Sequence, residues 1–510
     1  MNIFTPLTLL VVPLLGSIFI LLFPYKNEIV ISNNRSNSIT LPWSLGNAQN
    51  SVLKQIALIT SLVNLFISII MWLQFDANYL GYQFVTEFNS TYLPSFLQLN
   101  LGIDSISIYF VLLTTFITPI ALLSSYKEID KHLKLYLILI LLLETLQIAV
   151  FVVIDLLLFY VFFESVLIPL FLIIGIWGAS EAKVRAAFLL FLYTLFGSLF
   201  MLLSILLIYS QLGSTDFILL SISEISLNSQ KILWIGFFLA FAIKTPLWPF
   251  TGWLFRAHVE APLSGSVILA AVILKLATYA YLRILLGFLP DATHYFSPLV
   301  QGICIITLVY ASLSALRTHD SKALVALSSI SHCALIVLGL ISNSVIGIEG
   351  GILVSISHGF VSPALFILVG GCIYVRVHSR TIPYIRGLAT FMPIFSILFL
   401  IFALSNASIP LTAGWVGEQM ALIGLFQISP ILAILGATSI FLTACYSIFL
   451  FNRINFGAYS SHLKPLSDLN RLEFFNLITL LIPTVILGIF PNLILDSLHC
   501  NVSELIYHIA

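Results

Sequence analysis

Charge is scarce in this chain. Only 8% of its 510 residues are Asp, Glu, Lys or Arg, where a soluble domain carries about 25%. The mean hydropathy is +1.10 and 60% of residues are hydrophobic. No soluble core hides that much apolar surface, so the surrounding solvent must be lipid. The formal net charge is zero, which excludes a large basic surface and with it a nucleic-acid partner. The five cysteines, Cys304, Cys333, Cys372, Cys445 and Cys500, form no CxxC pair. That excludes a metal knuckle or a thioredoxin-like motif. They read as small buried hydrophobes, and no metal site is expected. Neither a GxGxxG turn nor a Walker A loop occurs, and the gaps between apolar runs are too short for a soluble domain. No cofactor is therefore expected on this chain, and any redox or nucleotide chemistry belongs to a partner. The opening stretch MNIFTPLTLLVVPLLGSIFILLF lacks a basic n-region and a small-residue cleavage site. It reads as a first span.

What the chain does have is a succession of apolar runs of roughly twenty residues, each able to cross about 30 Å of hydrocarbon as a helix. About fourteen are expected, near 4–23, 54–74, 104–125, 133–153, 156–177, 186–211, 231–255, 262–286, 297–316, 322–342, 350–375, 390–424, 430–452 and 473–496. Strands are not expected, because membrane barrels alternate polarity within short segments. The basic residues test the count. With the loops between spans numbered one to thirteen, seventeen Lys and Arg lie in or beside odd loops, from Lys26, Arg35 and Lys54 to Arg453, Lys464 and Arg471. Even loops hold only Lys231 and Arg283. This asymmetry orients the chain with odd loops toward the matrix or cytoplasm and both termini on the outer side.

Two lysines remain, Lys244 and Lys275, both deep inside runs, as are Glu164, His332 and Glu418. Glu144 is a sixth intramembrane ionisable residue. A charge facing lipid at mid-membrane costs about 2.5–3.5 kcal/mol on the insertion scale. These groups should therefore face one another or water and mark an ion or proton path. None is arginine, which keeps its proton; lysine, glutamate and histidine can each gain and lose one. The set reads as a proton relay. The prolines sharpen it. Pro246 and Pro249 follow Lys244, and Pro410 precedes Glu418, so the seventh and twelfth spans should break and free backbone carbonyls. Two broken helices five spans apart suggest inverted repeats meeting at a transport site. The expected fold is an all-α polytopic membrane protein with inverted five-helix repeats, spans 4–8 and 9–13, and broken spans 7 and 12. Its parts are the N-terminal helices (1–125), a first repeat (126–290), a second repeat (291–460) and a C-terminal helix (461–510).

Weaker features are candidates for an auxiliary relay. RTHDSK (317–322) puts His319 and Lys322 three residues apart, as if on one helix face; the alternative is an interfacial cluster. In RAHVEAP (256–262), His258 and Glu260 form a polar cap or a solvated loop. His358 joins Glu144 in this group. Haem ligation by His319 and His332 is rejected, because His319 belongs to a charged helix end.

At FAIKTPLWPFTGWLFRAHVEAPLSGSVILAAVILKL (241–276) the chain resembles the antiporter-like membrane subunits of respiratory NADH:ubiquinone oxidoreductase, complex I. LFYVFFESVLIPLFLIIGIWG (158–178), SKALVALSSISH (321–332), GGILVSISHGFVSPALF (350–366) and GWVGE (414–418) are similar to its subunit 4 branch, in a fungal mitochondrial form. The resemblance covers about residues 100–460. It implies proton translocation with Glu164 paired to Lys244 on broken span 7, Lys275 and His332 as relay groups, and Glu418 toward the exit. Thr251 and Phe255 depart from the family's usual text, as does SIPLTAGW before Glu418. The resemblance also implies NAD, FMN, iron–sulfur clusters and ubiquinone on partner subunits, and contacts with neighbouring antiporter-like and accessory subunits. Structural lipids, the mitochondrial inner membrane and a mitochondrial gene complete that expectation. The rival reading is a stand-alone multisubunit cation/proton antiporter.

Overall fold

An apolar run in lipid must satisfy every backbone N–H and C=O internally, and a helix does so within the segment. The computed structural model of the chain describes residues 5–24, 44–88, 99–460 and 462–507; Lys26 and Arg35 lie outside this range. Among the described residues, eleven helices are long and apolar enough to cross a membrane. The shorter helices Pro6–Leu22, Leu227–Lys244, Pro393–Asn406 and Ala413–Ile428 occupy the other expected positions.

Caps set the helix starts. Asp104 accepts from Ser107 N at 3.0 Å, Asp155 from Leu157 N and Leu158 N at 2.9 Å each, and Asp320 from Lys322 N at 2.8 Å. Each cap satisfies donors that the first turn leaves open. The two basic residues of the even loops are both engaged. Arg283 lies in the last turn of its span and pairs with Asp104. Lys231 sits 3.6 Å over the Tyr295 ring.

Burial grades the helices. The windows of Ser321–Leu340 and Val345–Val377 are 100% buried and that of Leu263–Leu286 is 94% buried, against 22% for Arg471–Ile489. The three innermost helices are those that carry His332, His358 and Lys275. Val345–Phe366 packs against Ala413–Ile428 through glycines. A Cβ on Gly350 would lie 2.4 Å from Ala421 N and 2.8 Å from Gly417 O, so the two backbones touch.

Four features depart from the sequence expectation. A two-stranded antiparallel sheet pairs Gln83–Phe88 with Leu99–Ile103 between the second and third spans. Its strands are only six and five residues long, too short to show in a search for long apolar runs. Three π-helical stretches, Leu269–Ile273, Tyr281–Leu286 and Ile367–Ile373, interrupt the eighth and eleventh spans. The fifth span is divided at Val166 into Leu156–Ser165 and Leu167–Trp177. There Pro169 cannot donate to Ser165. After Arg471–Ile489, Pro491 starts a separate helix, Asn492–Tyr507, so the last run is two elements.

Candidate functional site

The first break spans 245–251, between Leu227–Lys244 and Gly252–Glu260. Lys244 is the last residue of its helix and only 1% exposed. Its Nζ donates to the Phe163 carbonyl at 2.8 Å and sits 3.2 Å from the Phe163 ring centroid. Glu164 is the next residue. Its Oε1 has no hydrogen-bond partner among the described residues, and it makes no ion pair with Lys244 within 4.0 Å. The expected Glu164–Lys244 pair is therefore not closed here, because the backbone carbonyl one residue earlier takes the ammonium. The freed carbonyls are also partly recaptured. Ala242 O accepts from Leu247 N at 2.9 Å, and Ile243 O accepts from Trp253 Nε1 at 2.8 Å. The Trp248 N–H turns to Thr307 Oγ1 at 2.8 Å.

The second break spans 407–412, between Pro393–Asn406 and Ala413–Ile428. Ser408 and Leu411 adopt φ of 53° and 74°, a left-handed backbone that non-glycine residues hold at a cost of order 1–3 kcal/mol. Glu418, on the helix after the break, is 2% exposed and places Oε1 3.2 Å from His332 Nδ1. The His332 ring lies 5.6 Å, centroid to centroid, from His358. His358 Nδ1 lies 2.7 Å from Lys275 Nζ, which also donates to Ala270 O at 2.7 Å. Ala270 belongs to a π stretch, so its carbonyl is presented to a side chain five residues on. With Lys275 protonated, His358 Nδ1 accepts and its ring hydrogen sits on Nε2.

This file, Lys275–His358–His332–Glu418, crosses four helices without leaving the core. Nε2 of His332, Nε2 of His358 and Oε2 of Glu418 have no partner among the described residues. All three residues line one cavity of about 10 Å³ with Ser405, Asn406 and Gly414. That is roughly the room one water needs. Buried polar atoms without partners around such a space fit a bridging water.

His358, grouped by sequence with the auxiliary residues, is thus at the centre. Counting depth from its own helix start would have found it: it lies fourteen residues into Val345–Phe366, opposite His332 on the adjacent antiparallel helix. Asn406 carried no charge to draw attention. The other auxiliaries divide. His258 is fully buried and stacks on Phe366 at 4.5 Å, with neither ring nitrogen bonded among the described residues. Lys322 is buried and donates to Ala261 O at 2.7 Å. Glu260 accepts from Ser180 Oγ at 2.6 Å. Glu144 bonds Asn64 Nδ2 at 2.7 Å, on the second span, and contacts no cation of the file. His319 is exposed and precedes the helix that Asp320 caps, so it shares no helix face with Lys322. Among the described residues, no group of three or more His, Cys, Asp or Glu is placed to hold a metal ion.

The family described as NADH:quinone oxidoreductase/Mrp antiporter, TM, matches residues 154–443. NADH-ubiquinone oxidoreductase chain 4 of Mycosarcoma maydis is 61% identical over 457 residues, covering 90% of this chain and 94% of the relative. Among solved structures, a chain of respiratory complex I from Thermus thermophilus with bound NADH superposes with a TM-score of 0.85 at 26% identity, over 99% of this chain and 100% of that one. A chain of the Mrp complex from Dietzia sp. reaches 0.82 at 19% identity, over 100% and 99%, a likeness of fold alone.

Proposed function

The chain belongs to the NADH-ubiquinone oxidoreductase chain 4 family, and from that premise we propose that it carries protons across the mitochondrial inner membrane in the membrane arm of complex I. The observation that carries this reading is the buried file Lys275–His358–His332–Glu418 beside a water-sized cavity. Its members are all side chains that can hold or release a proton, and their surroundings set how firmly each keeps it.

In this account protons enter from the matrix through the first repeat (126–290), past Glu164 and Lys244. They pass to Lys275, then to His358 and His332 through a bridging water, and leave past Glu418 in the second repeat (291–460). Lys244 is the loading site, parked on the Phe163 carbonyl beside Glu164. Motion of its ammonium between carbonyl and carboxylate changes how firmly it keeps its proton. Among the described residues no hydrogen bond joins Lys244 to Lys275, so that transfer, inside the first repeat, is the gated step, while the contact of Lys275 with His358 joins the two repeats. Electron transfer from NADH to ubiquinone, with FMN and iron–sulfur clusters, belongs to partner subunits and supplies the drive. The chain is embedded among neighbouring antiporter-like and accessory subunits and structural lipids. Its termini face the intermembrane space, and the gene lies in the mitochondrial genome.

The test is a Lys275→Met variant in the assembled complex, reconstituted in liposomes. NADH oxidation with proton uptake sharply reduced supports the reading; unchanged proton movement per electron contradicts it. The Mrp-like fold makes a cation/proton antiporter the rival. Co-purification separates the two, since an antiporter comes without flavin and iron–sulfur subunits.

A further inference from the structure

A cavity of about 360 Å³ lies on the basic side, between the start of Lys183–Leu212, the Gly252–Glu260 helix and the start of Ser321–Leu340. Arg185 and Arg256 line it, both exposed, and neither forms an ion pair among the described residues. Glu181, four residues before Arg185, does not pair with it either. The two carboxylates at the cavity are already engaged. Glu260 accepts from Ser180 Oγ at 2.6 Å and from Ser180 N at 3.2 Å. Asp320 accepts from Lys322 N and Ala323 N and lies 3.7 Å from Arg380 Nε. The remaining wall is apolar, including Leu189 and Phe255. It continues into the outward face of Lys183–Leu212, where Phe188, Leu192 and Phe196 are 49%, 56% and 54% exposed.

Two guanidinium groups without an ion-pair partner among the described residues, Arg256 resting 5.7 Å from the Phe255 ring centroid, stand at the end of a span above an apolar wall and match a phosphate that carries acyl chains. We propose that this cavity binds an anionic phospholipid, with its headgroup phosphate held between Arg185 and Arg256 and an acyl chain laid along Leu189 and Phe255. Guanidinium suits the task because its planar fork can give two parallel hydrogen bonds to phosphate oxygens. Arg256 sits on the helix that follows the first break and Arg185 on the neighbouring span. One bound phosphate therefore clamps the basic-side end of the broken helix to its support. The site is separate from the proton file and does not depend on it.

The test uses the whole purified complex in phosphatidylcholine nanodiscs doped with a photoactivatable phosphatidylglycerol, with adducts mapped by peptide sequencing. Adducts are expected within 182–189 and 255–259. The Arg185→Gln/Arg256→Gln double variant should lose roughly tenfold or more of this labelling, the loss expected for two interfacial cations. Arg471→Gln, at another basic-side span end, serves as the control and should leave it unchanged. Equal labelling by a phosphatidylcholine probe, or labelling unchanged in the double variant, overturns the proposal. So does displacement by inorganic phosphate, which makes the occupant a free anion, or cross-links showing a neighbouring polypeptide seated in the groove.

Discussion

At the first break the lysine that ends the helix donates to a backbone carbonyl of another helix, and its carboxylate neighbour stays open. At the second break the glutamate that follows meets a histidine, whose ring lies tilted 5.6 Å from that of another histidine, which touches a lysine. Both halves use proline to interrupt a span. At the second, titratable side chains meet directly, Glu418 with His332 and His358 with Lys275; at the first, Lys244 bonds the Phe163 carbonyl beside Glu164. Both breaks recapture freed carbonyls, the first with Leu247 N and Trp253 Nε1, the second with Ile409 N on Leu404 O at 3.2 Å; the second also opens onto a water-sized cavity. A break in a helix thus makes room for a transport site without wiring it. The wiring comes from which side chains the adjacent helices place at that depth.

If the first half is a loading site and the second a wire, variants should separate them. Lys244→Met removes the one ammonium of the first break. It should lower coupled proton translocation by about a hundredfold or more, the scale of losing a positioned acid–base group, while the complex still assembles; reconstituted liposomes with a pH-sensitive dye measure this. Glu418→Gln keeps the shape of the file's far end and removes its charge. A drop of roughly tenfold to a hundredfold in proton release is expected, with Lys244 chemistry intact. Gly350→Leu attacks the packing that holds the wire together. It forces apart helices whose backbones touch and should destabilise the subunit by about 1–3 kcal/mol, read as a lower melting temperature of the complex. Asn64→Ala strips Glu144 of its partner. It should cost about 1 kcal/mol of stability and leave the proton-to-electron ratio unchanged. His319→Ala, at an exposed position outside the file, should change neither stability nor pumping measurably.

The sequence carried much of this because lipid makes charge expensive. Lys244, Lys275, Glu164, His332 and Glu418 stand out against apolar text, and Pro246, Pro249 and Pro410 mark the interruptions beside two of them. What it did not carry is lateral order. Depth along a span says nothing of which helix lies next to which, so His358 was placed at the margin although it touches Lys275. The family resemblance implies that Glu164 pairs with Lys244, without saying how far apart they stand. The Phe163 carbonyl competes at 2.8 Å, and a backbone acceptor leaves no mark in a sequence. The π stretch that presents Ala270 O to Lys275 is equally silent, since Leu-Ala-Ala-Val-Ile reads as ordinary helix. The helix face expected to be shared by His319 and Lys322 is absent for a local reason: Asp320 caps the helix, and the residue before a cap lies outside it.

On the proposed route, protons pass through His358 between Lys275 and His332. The most direct measurement is the proton-to-electron ratio of an assembled His358→Gln complex in sealed liposomes, compared with His319→Ala under the same conditions. A reduced ratio is expected for His358→Gln, with NADH-driven quinone reduction still present, and a native ratio for His319→Ala. A native ratio in His358→Gln would contradict that route.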